Sequence, residues 1–241
     1  SLFSCAYYNI YCPQPFNREK TALQLAMRGY PVVAAMLIPL LTMQQAAAET
    51  FSFQNESSFV DETKIMHVFG EIKNDSGTAT KEVLITASFY DKDGQLLGTY
   101  QNSPELRVIN PGGSSPFEMR YLDPATVGKV ASYELSAGGQ PAEPKPVRLK
   151  ILSSNSRLDV LGVYYINVVA RNEGTEVAAS PVMISTLYDR EGKVVAVGRA
   201  LAEADSRVVD LAPGQEAGFG VVVAERLQTY KAVRYALVAD S

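Results

Sequence analysis

Two short acidic segments contain the residues best suited to chemistry. "YDKDG" begins at Tyr90, and "YDREG" begins at Tyr188. Their carboxylates could join a calcium loop, but calcium needs about six to eight oxygen ligands, and no bidentate Glu follows at the required spacing. A Tyr-Asp acid–base pair is also disfavoured, because neighbouring strand residues point to opposite faces. The pattern favours a hairpin turn in which Asp91 or Asp189 accepts backbone N–H bonds and Gly94 or Gly192 adopts a positive φ.

The chain lacks the cysteine and histidine residues that other catalytic or metal-binding arrangements require. Cys5 and Cys12 are the only cysteines, and His67 is the only histidine. His67 alternates with Met66 and Val68, which predicts a partly exposed strand residue with no catalytic or metal role. The net charge is −4 and the basic residues are scattered, so the sequence predicts no basic patch that would bind nucleic acid. We therefore expect no cofactor, no metal ion and no enzymatic activity.

The two acidic segments belong to a long internal repeat. Asp91 and Asp189 lie 98 residues apart (189 − 91), and the same offset relates Asn74 to Asn172. Further on, Gly112 and Gly214 lie 102 residues apart (214 − 112), so the second copy carries one short insertion. A period of about 100 residues indicates repeated domains rather than solenoid units.

Each copy has the pattern of an all-β domain. Val83, Ile85, Ala87 and Phe89 share one face of a strand, with Thr86, Ser88 and Tyr90 on the other, which predicts one buried face. The second copy places Met183, Ser185 and Leu187 on that face, and Ile184, Thr186 and Tyr188 on the other. About seven short strands per copy, separated by Gly and Pro turns, predict two tandem immunoglobulin-like antiparallel β-sandwiches. We place them at 49–137 and 147–241, joined by a Gly/Pro linker at 138–146.

The N-terminal part of the chain is typical of an export signal. Arg28 precedes an apolar run over 32–41, and small residues lead to a predicted cleavage site near 48/49. The run is shorter than the roughly 20 residues of a spanning helix. An uncleaved anchor is the alternative. We assign 1–48 to an extension plus signal peptide, and hypothesise that 1–26 lies upstream of the native start at Met27.

Two N-glycosylation sequons are relevant to an exported chain. They begin at Asn55 ("NES") and Asn74 ("NDS"). Asn172, the counterpart of Asn74, lacks the sequon, which favours a role in the turn for Asn74. Asn55 is therefore the better candidate for modification.

The repeated motif resembles the FxLYD-type domain, a small secreted β-sandwich module of prokaryotic surface proteins. The similarity rests on two sets of residues, one in each copy. These are Asn74, Phe89, Tyr90, Asp91, Gly94 and Pro111-Gly112, and Asn172, Leu187, Tyr188, Asp189, Gly192 and Pro213-Gly214. The resemblance covers nearly all of 50–241. The resemblance implies an adhesion, scaffold or accessory role without catalysis.

The expected function is therefore extracytoplasmic binding or structure, secreted or at the cell surface. The partner would be an unidentified protein of the cell envelope, and the N-terminal segment would contact the membrane only if uncleaved. The alternative is an accessory subunit of an envelope complex, tethered by an uncleaved N-terminal helix.

Overall fold

The computed structural model describes residues 50–204 and 207–241; the predicted extension and signal at 1–48 lie outside the described residues. The first half of the described chain contains seven strands and one 3₁₀ turn at Val127–Lys129. The strands are β1 (Phe51–Val60), β2 (Met66–Asn74), β3 (Thr80–Tyr90), β4 (Leu96–Asn102), β5 (Val108–Ile109), β6 (Ser114–Tyr121) and β7 (Ser132–Pro141).

The second half repeats this order with eight strands and one helical turn, because two short strands stand where the first half has one. Its elements are β8 (Leu149–Leu158), β9 (Tyr164–Asn172), β10 (Val182–Tyr188), β11 (Val194–Leu201), β12 (Glu203–Ala204), β13 (Arg207–Val208), β14 (Glu216–Val223), α1 (Arg226–Thr229) and β15 (Arg234–Asp240). The strands β12 and β13 fall in the interval where the repeat offset changes, so they account for the insertion.

The first half folds as two antiparallel sheets around its own core. One sheet has the order β1-β2-β6, and the other places β3 between β7 and the strands β4 and β5. Val83, Ile85, Ala87 and Phe89 are all buried, as their alternation predicts. They pack against residues of the facing sheet such as Phe117.

The second half forms an equivalent pair of sheets, with the orders β8-β9-β14-β12-β13 and β11-β10-β15. Its core includes Ile166, Met183, Leu187 and Phe219, and of these Met183 and Leu187 lie on the face predicted by alternation. The all-β fold with sandwich-like antiparallel sheets is thus confirmed. The described residues fall within one compact unit, Ala46–Ser241, and the division into two domains stays a prediction.

The connection between the halves is shorter than the predicted linker at 138–146. Strand β7 continues to Pro141, whose partner on β3 is Thr80. Proline is tolerated there because β7 lies at the edge of its sheet. The segment 142–148 has no regular secondary structure. Among the described residues, no helix is both long and apolar enough to cross a membrane.

Candidate functional site

Asn74 and Asn172 lie at the ends of β2 and β9 and are fully buried. The side-chain amide of Asn74 donates to the carbonyls of Thr78 and Ile109, both at 2.8 Å, and its oxygen accepts the Ser76 N–H at 3.0 Å. Asn172 repeats this arrangement: it donates to Glu176 at 2.8 Å and Leu211 at 2.7 Å, and accepts from Gly174 at 2.9 Å. Each asparagine therefore replaces missing backbone partners where a strand ends.

This geometry bears on the two sequons. A glycan on the amide nitrogen of Asn74 would displace hydrogen bonds within the folded core, so we infer that Asn74 serves the turn. Asn55 is partly exposed on β1, has a φ of 57°, and donates to Glu71 at 2.6 Å. Modification of Asn55 stays a prediction.

The acidic segments form hairpin turns in both halves. The Asp91 carboxylate accepts the N–H groups of Asp93 and Gln95 at 2.9 and 2.8 Å. The Asp189 carboxylate accepts the Lys193 N–H at 2.8 Å. Gly94 and Gly192 have φ values of 77° and 81°, which glycine adopts readily. These carboxylates are used to reverse the chain.

The repeated tyrosines have different surroundings. Tyr90 is partly exposed and donates to Glu134 of its own sheet at 3.2 Å. Tyr188 is 4% exposed, and its hydroxyl donates to Glu71 of the first half at 2.8 Å. Burial, followed by the hydrogen bond to Glu71, raises the pKa of Tyr188 to about 12. Tyr188 therefore connects the two halves through its bond to Glu71, whereas Tyr90 bonds within its own half.

A hydrophobic cluster around Tyr188 joins the two halves. We call it the joining cluster; it consists of Phe59 and Phe69 from the first half with Tyr188, Val194 and Val197 from the second. Strand β11 packs against β2, with β1 and β6 beside it. On the neighbouring strand β10, residues of the outer face, including Ile184 and Thr186, are buried as well as those of the inner face.

Polar contacts extend this join at two places. Ser57 donates to the carbonyl of Val194. The buried carboxylate of Asp240, near the C-terminus, accepts from Arg107 at 2.7 Å and from Lys145. Burial disfavours the Asp240 anion, but hydrogen bonds from Lys145 and Arg107 outweigh this and lower its pKa. Both the first half and the connecting segment are therefore held to the last strand.

The prediction that His67 is partly exposed is wrong. It is 5% exposed, because the Phe59 ring stacks on it at 4.8 Å and the second half packs over the same sheet face. Its Nδ1 lies 2.7 Å from Glu118 and its Nε2 lies 3.3 Å from Asp61. Both nitrogens face carboxylates, and only the imidazolium can donate to both.

The groups around His67 influence one another's ionisation. Burial opposes the charged imidazole, but hydrogen bonds to Glu118 and Asp61 outweigh it and raise the pKa of His67. Burial likewise opposes the Glu118 anion, but bonds from His67 and Arg120 lower the pKa of Glu118. Burial, with Glu118 and Asp61 nearby, raises the pKa of Glu225 against the attraction of His67 and Arg120. Glu225 belongs to the second half, so this charge cluster also spans the join.

Replacing His67 with glutamine is expected to remove a pH-dependent contribution to stability. A raised histidine pKa stabilises the fold fully below the unfolded value of 6.5, and this contribution is lost as pH rises through the folded pKa. A lowered Glu118 pKa stabilises the fold above 4.5, and its contribution is lost as pH falls through the folded value. The free energy of unfolding of the native chain should therefore exceed that of His67→Gln by the largest amount, about 1–2 kcal/mol, between pH 4.5 and pH 6.5.

Thermal unfolding of both chains across pH measures this difference. Because His67 is the only histidine, NMR titration of its imidazole also reports the pKa directly. A measured pKa at or below the ordinary histidine value, or a stability difference that does not vary with pH, would contradict the interpretation.

The arrangement around His67 is suited to charge pairing at an internal contact. Within residues 50–204 and 207–241, no group of three or more His, Cys, Asp or Glu side chains has the geometry to hold a metal ion. Strand alternation does not predict the burial of His67, because it reports contact of a strand with the core of its own half and not with the other half. The available signal was Phe69, which lies on the same face of β2 as His67 and has the polar Asn167 as its counterpart in the second half.

Comparison with known proteins gives no family. No family model matches the chain, and no curated protein matches it. The exo-chitosanase CsxA of Amycolatopsis orientalis has 12% identity and a TM-score of 0.27 over 77% of this chain and 25% of its own. The transglutaminase of red sea bream has 11% identity and a TM-score of 0.22, covering 78% and 29% of the two chains.

A β-glucuronidase from glycoside hydrolase family 2 has 14% identity and a TM-score of 0.22, over 66% of this chain and 20% of its own. The chain spans about a quarter of the length of these solved structures. At such TM-scores the likenesses say nothing about activity.

Proposed function

We propose that this chain is a non-enzymatic extracytoplasmic protein that acts by binding or as a structural element. The main support is that the side chains repeated between the halves serve the fold. Asn74 and Asn172 close strand ends, while Asp91 and Asp189 form hairpin turns. The signal-like layout of 27–50 supports export.

Strand β8 offers a surface for such binding. It lies at the edge of its sheet, and nine of its ten residues are exposed. An exposed edge can pair with an extended segment of another protein, and its side chains can select among partners. A protein of the cell envelope is the partner that this location implies.

Cell fractionation with N-terminal sequencing of the native protein tests the proposal. We expect the mature chain to begin near Glu49 and to be recovered outside the cytoplasm. Recovery as an integral membrane protein that retains 27–48 would favour the tethered accessory subunit. Recovery in the cytoplasm with 27–48 intact would contradict both assignments.

A further inference from the structure

The turns that connect β1 to β2 and β8 to β9 have the same backbone structure. The Asp61 carboxylate accepts the Ile65 N–H at 2.8 Å, and the Asp159 carboxylate accepts the Val163 N–H at 2.9 Å. The residue before each of these N–H groups has a positive φ, 62° in the first turn and 78° in the second. The fold therefore builds one turn twice and requires an aspartate at the same place in both.

The two residues in the middle of each turn differ in chemistry. The first turn has Glu62 and Thr63, which suit a solvated position. The second has Val160 and Leu161, which are 94% and 60% exposed. Since Glu62 and Thr63 occupy the same backbone positions, the turn does not need apolar residues there. Val160 and Leu161 therefore require an explanation other than folding.

The helix α1 extends the apolar surface beside this turn. Thr229 donates to the carbonyl of Gly162 at 2.6 Å, and the Tyr230 hydroxyl donates to that of Val160 at 3.2 Å. These bonds fix the helix against the turn. Leu227 and Tyr230 are nevertheless exposed.

The first half has smaller residues at the matching positions, Ala125 and Gly128. We call Val160, Leu161, Leu227 and Tyr230 the apolar tip. Every member is larger or more apolar than its counterpart in the first half. The difference between the halves therefore extends over both segments of this end of the molecule.

Basic side chains surround the apolar tip, although the whole chain has a net charge of −4. Arg157 precedes the turn, Arg226 begins the helix and Lys231 follows it; all three are exposed. The two acidic residues of these segments have other contacts. Asp159 accepts backbone N–H groups of the turn, and Glu225 is part of the charge cluster around His67.

We propose that the apolar tip inserts into the surface of a lipid bilayer that carries anionic headgroups. Protruding aliphatic side chains would enter the acyl boundary, Tyr230 would lie at headgroup level, and Arg157, Arg226 and Lys231 would contact the lipid phosphates. The tip protrudes from a turn, which suits insertion into a bilayer. This contact is separate from the N-terminal segment and does not depend on the proposed extracytoplasmic function.

A tryptophan reporter tests insertion directly, because the full chain contains no tryptophan. We expect Leu161→Trp to show a blue-shifted emission with vesicles of phosphatidylglycerol and phosphatidylcholine, and quenching by brominated lipid. Val147→Trp is the matched control, since Val147 is 88% exposed and precedes the start of β8, whereas the tip follows its end. The reporter is local, so binding by the N-terminal segment does not mimic the result.

A second variant carries the first half's own turn, Val160→Glu with Leu161→Thr. It should keep the native melting temperature and bind anionic vesicles about tenfold more weakly. Lys231→Gln should weaken binding about fivefold, while Lys129→Gln, at the matching position of the first half, should not.

Unchanged emission of Leu161→Trp with anionic vesicles would overturn the proposal. A shift produced by an acidic polypeptide and not by vesicles would also overturn it, in favour of a protein partner. A cytoplasmic location in cells would contradict the proposed function alone, because the vesicle measurement uses purified protein.

Discussion

Replacing Phe69 with alanine is expected to lower the free energy of unfolding by about 3 kcal/mol. The Phe69 side chain is 1% exposed and packs in the joining cluster with Tyr188 and Val194. Its removal leaves a cavity between sheets that belong to different halves, so the loss falls on the join and not on either core. Urea denaturation of the purified chain measures the change.

Asn167→Ala is the matched control for Phe69→Ala, because Asn167 occupies the same position in the second half and is exposed. We expect this control to change stability by less than about 0.5 kcal/mol. Combining Phe69→Ala with Tyr188→Ala should cost less than the sum of the two, since the residues share one cluster. A Phe69→Ala chain as stable as the control would show that the halves are not held together in this way.

The substitution Asn172→Ala is expected to cost about 3 kcal/mol. It removes the side-chain bonds to the carbonyls of Glu176 and Leu211 and to the N–H of Gly174, and Asn172 itself is fully buried. Asn74→Ala should cost a similar amount, because its side chain makes the equivalent three bonds in the first half. Thermal and urea unfolding of both variants measure the two losses.

Asn155→Ala serves as the exposed control for these asparagines. It should leave stability nearly unchanged. A loss below about 1 kcal/mol for both Asn74→Ala and Asn172→Ala would contradict the conclusion that these side chains hold the strand ends.

The two asparagine variants also test whether the repeat reflects a shared fold or a chance similarity of sequence. If the repeat reflects one fold built twice, equivalent positions should have equal energetic effects. Tyr90 and Tyr188 are expected to depart from this equality, because only Tyr188 contacts the other half.

Much of the fold could be predicted because strand alternation and turn chemistry are local. Val83 and Phe89 face a core that lies within their own half, so the period of two identifies their burial. The turns at Asp91 and Asp189 need only neighbouring backbone groups, so residue type and spacing were sufficient.

The burial of the outer faces could not be predicted in the same way. Whether the outer face of β2 or of β9 is covered depends on where the other half packs. That choice rests on a few side chains, such as Phe69 in the first half and Asn167 in the second. Alternation predicts a partly exposed His67 for this reason, since its own half leaves that face open.

The sequence by itself determined the all-β architecture, its repetition, and the turns at Asp91 and Asp189. These features depend on contacts within one copy of the repeat, about 100 residues long, so both copies form them. Only the tertiary structure decided that Tyr188 is buried against Glu71, that His67 lies between two carboxylates, and that Val160 protrudes. Each of these depends on how one half packs against the other or on which end of the fold stays uncovered, and neither is encoded in a local pattern.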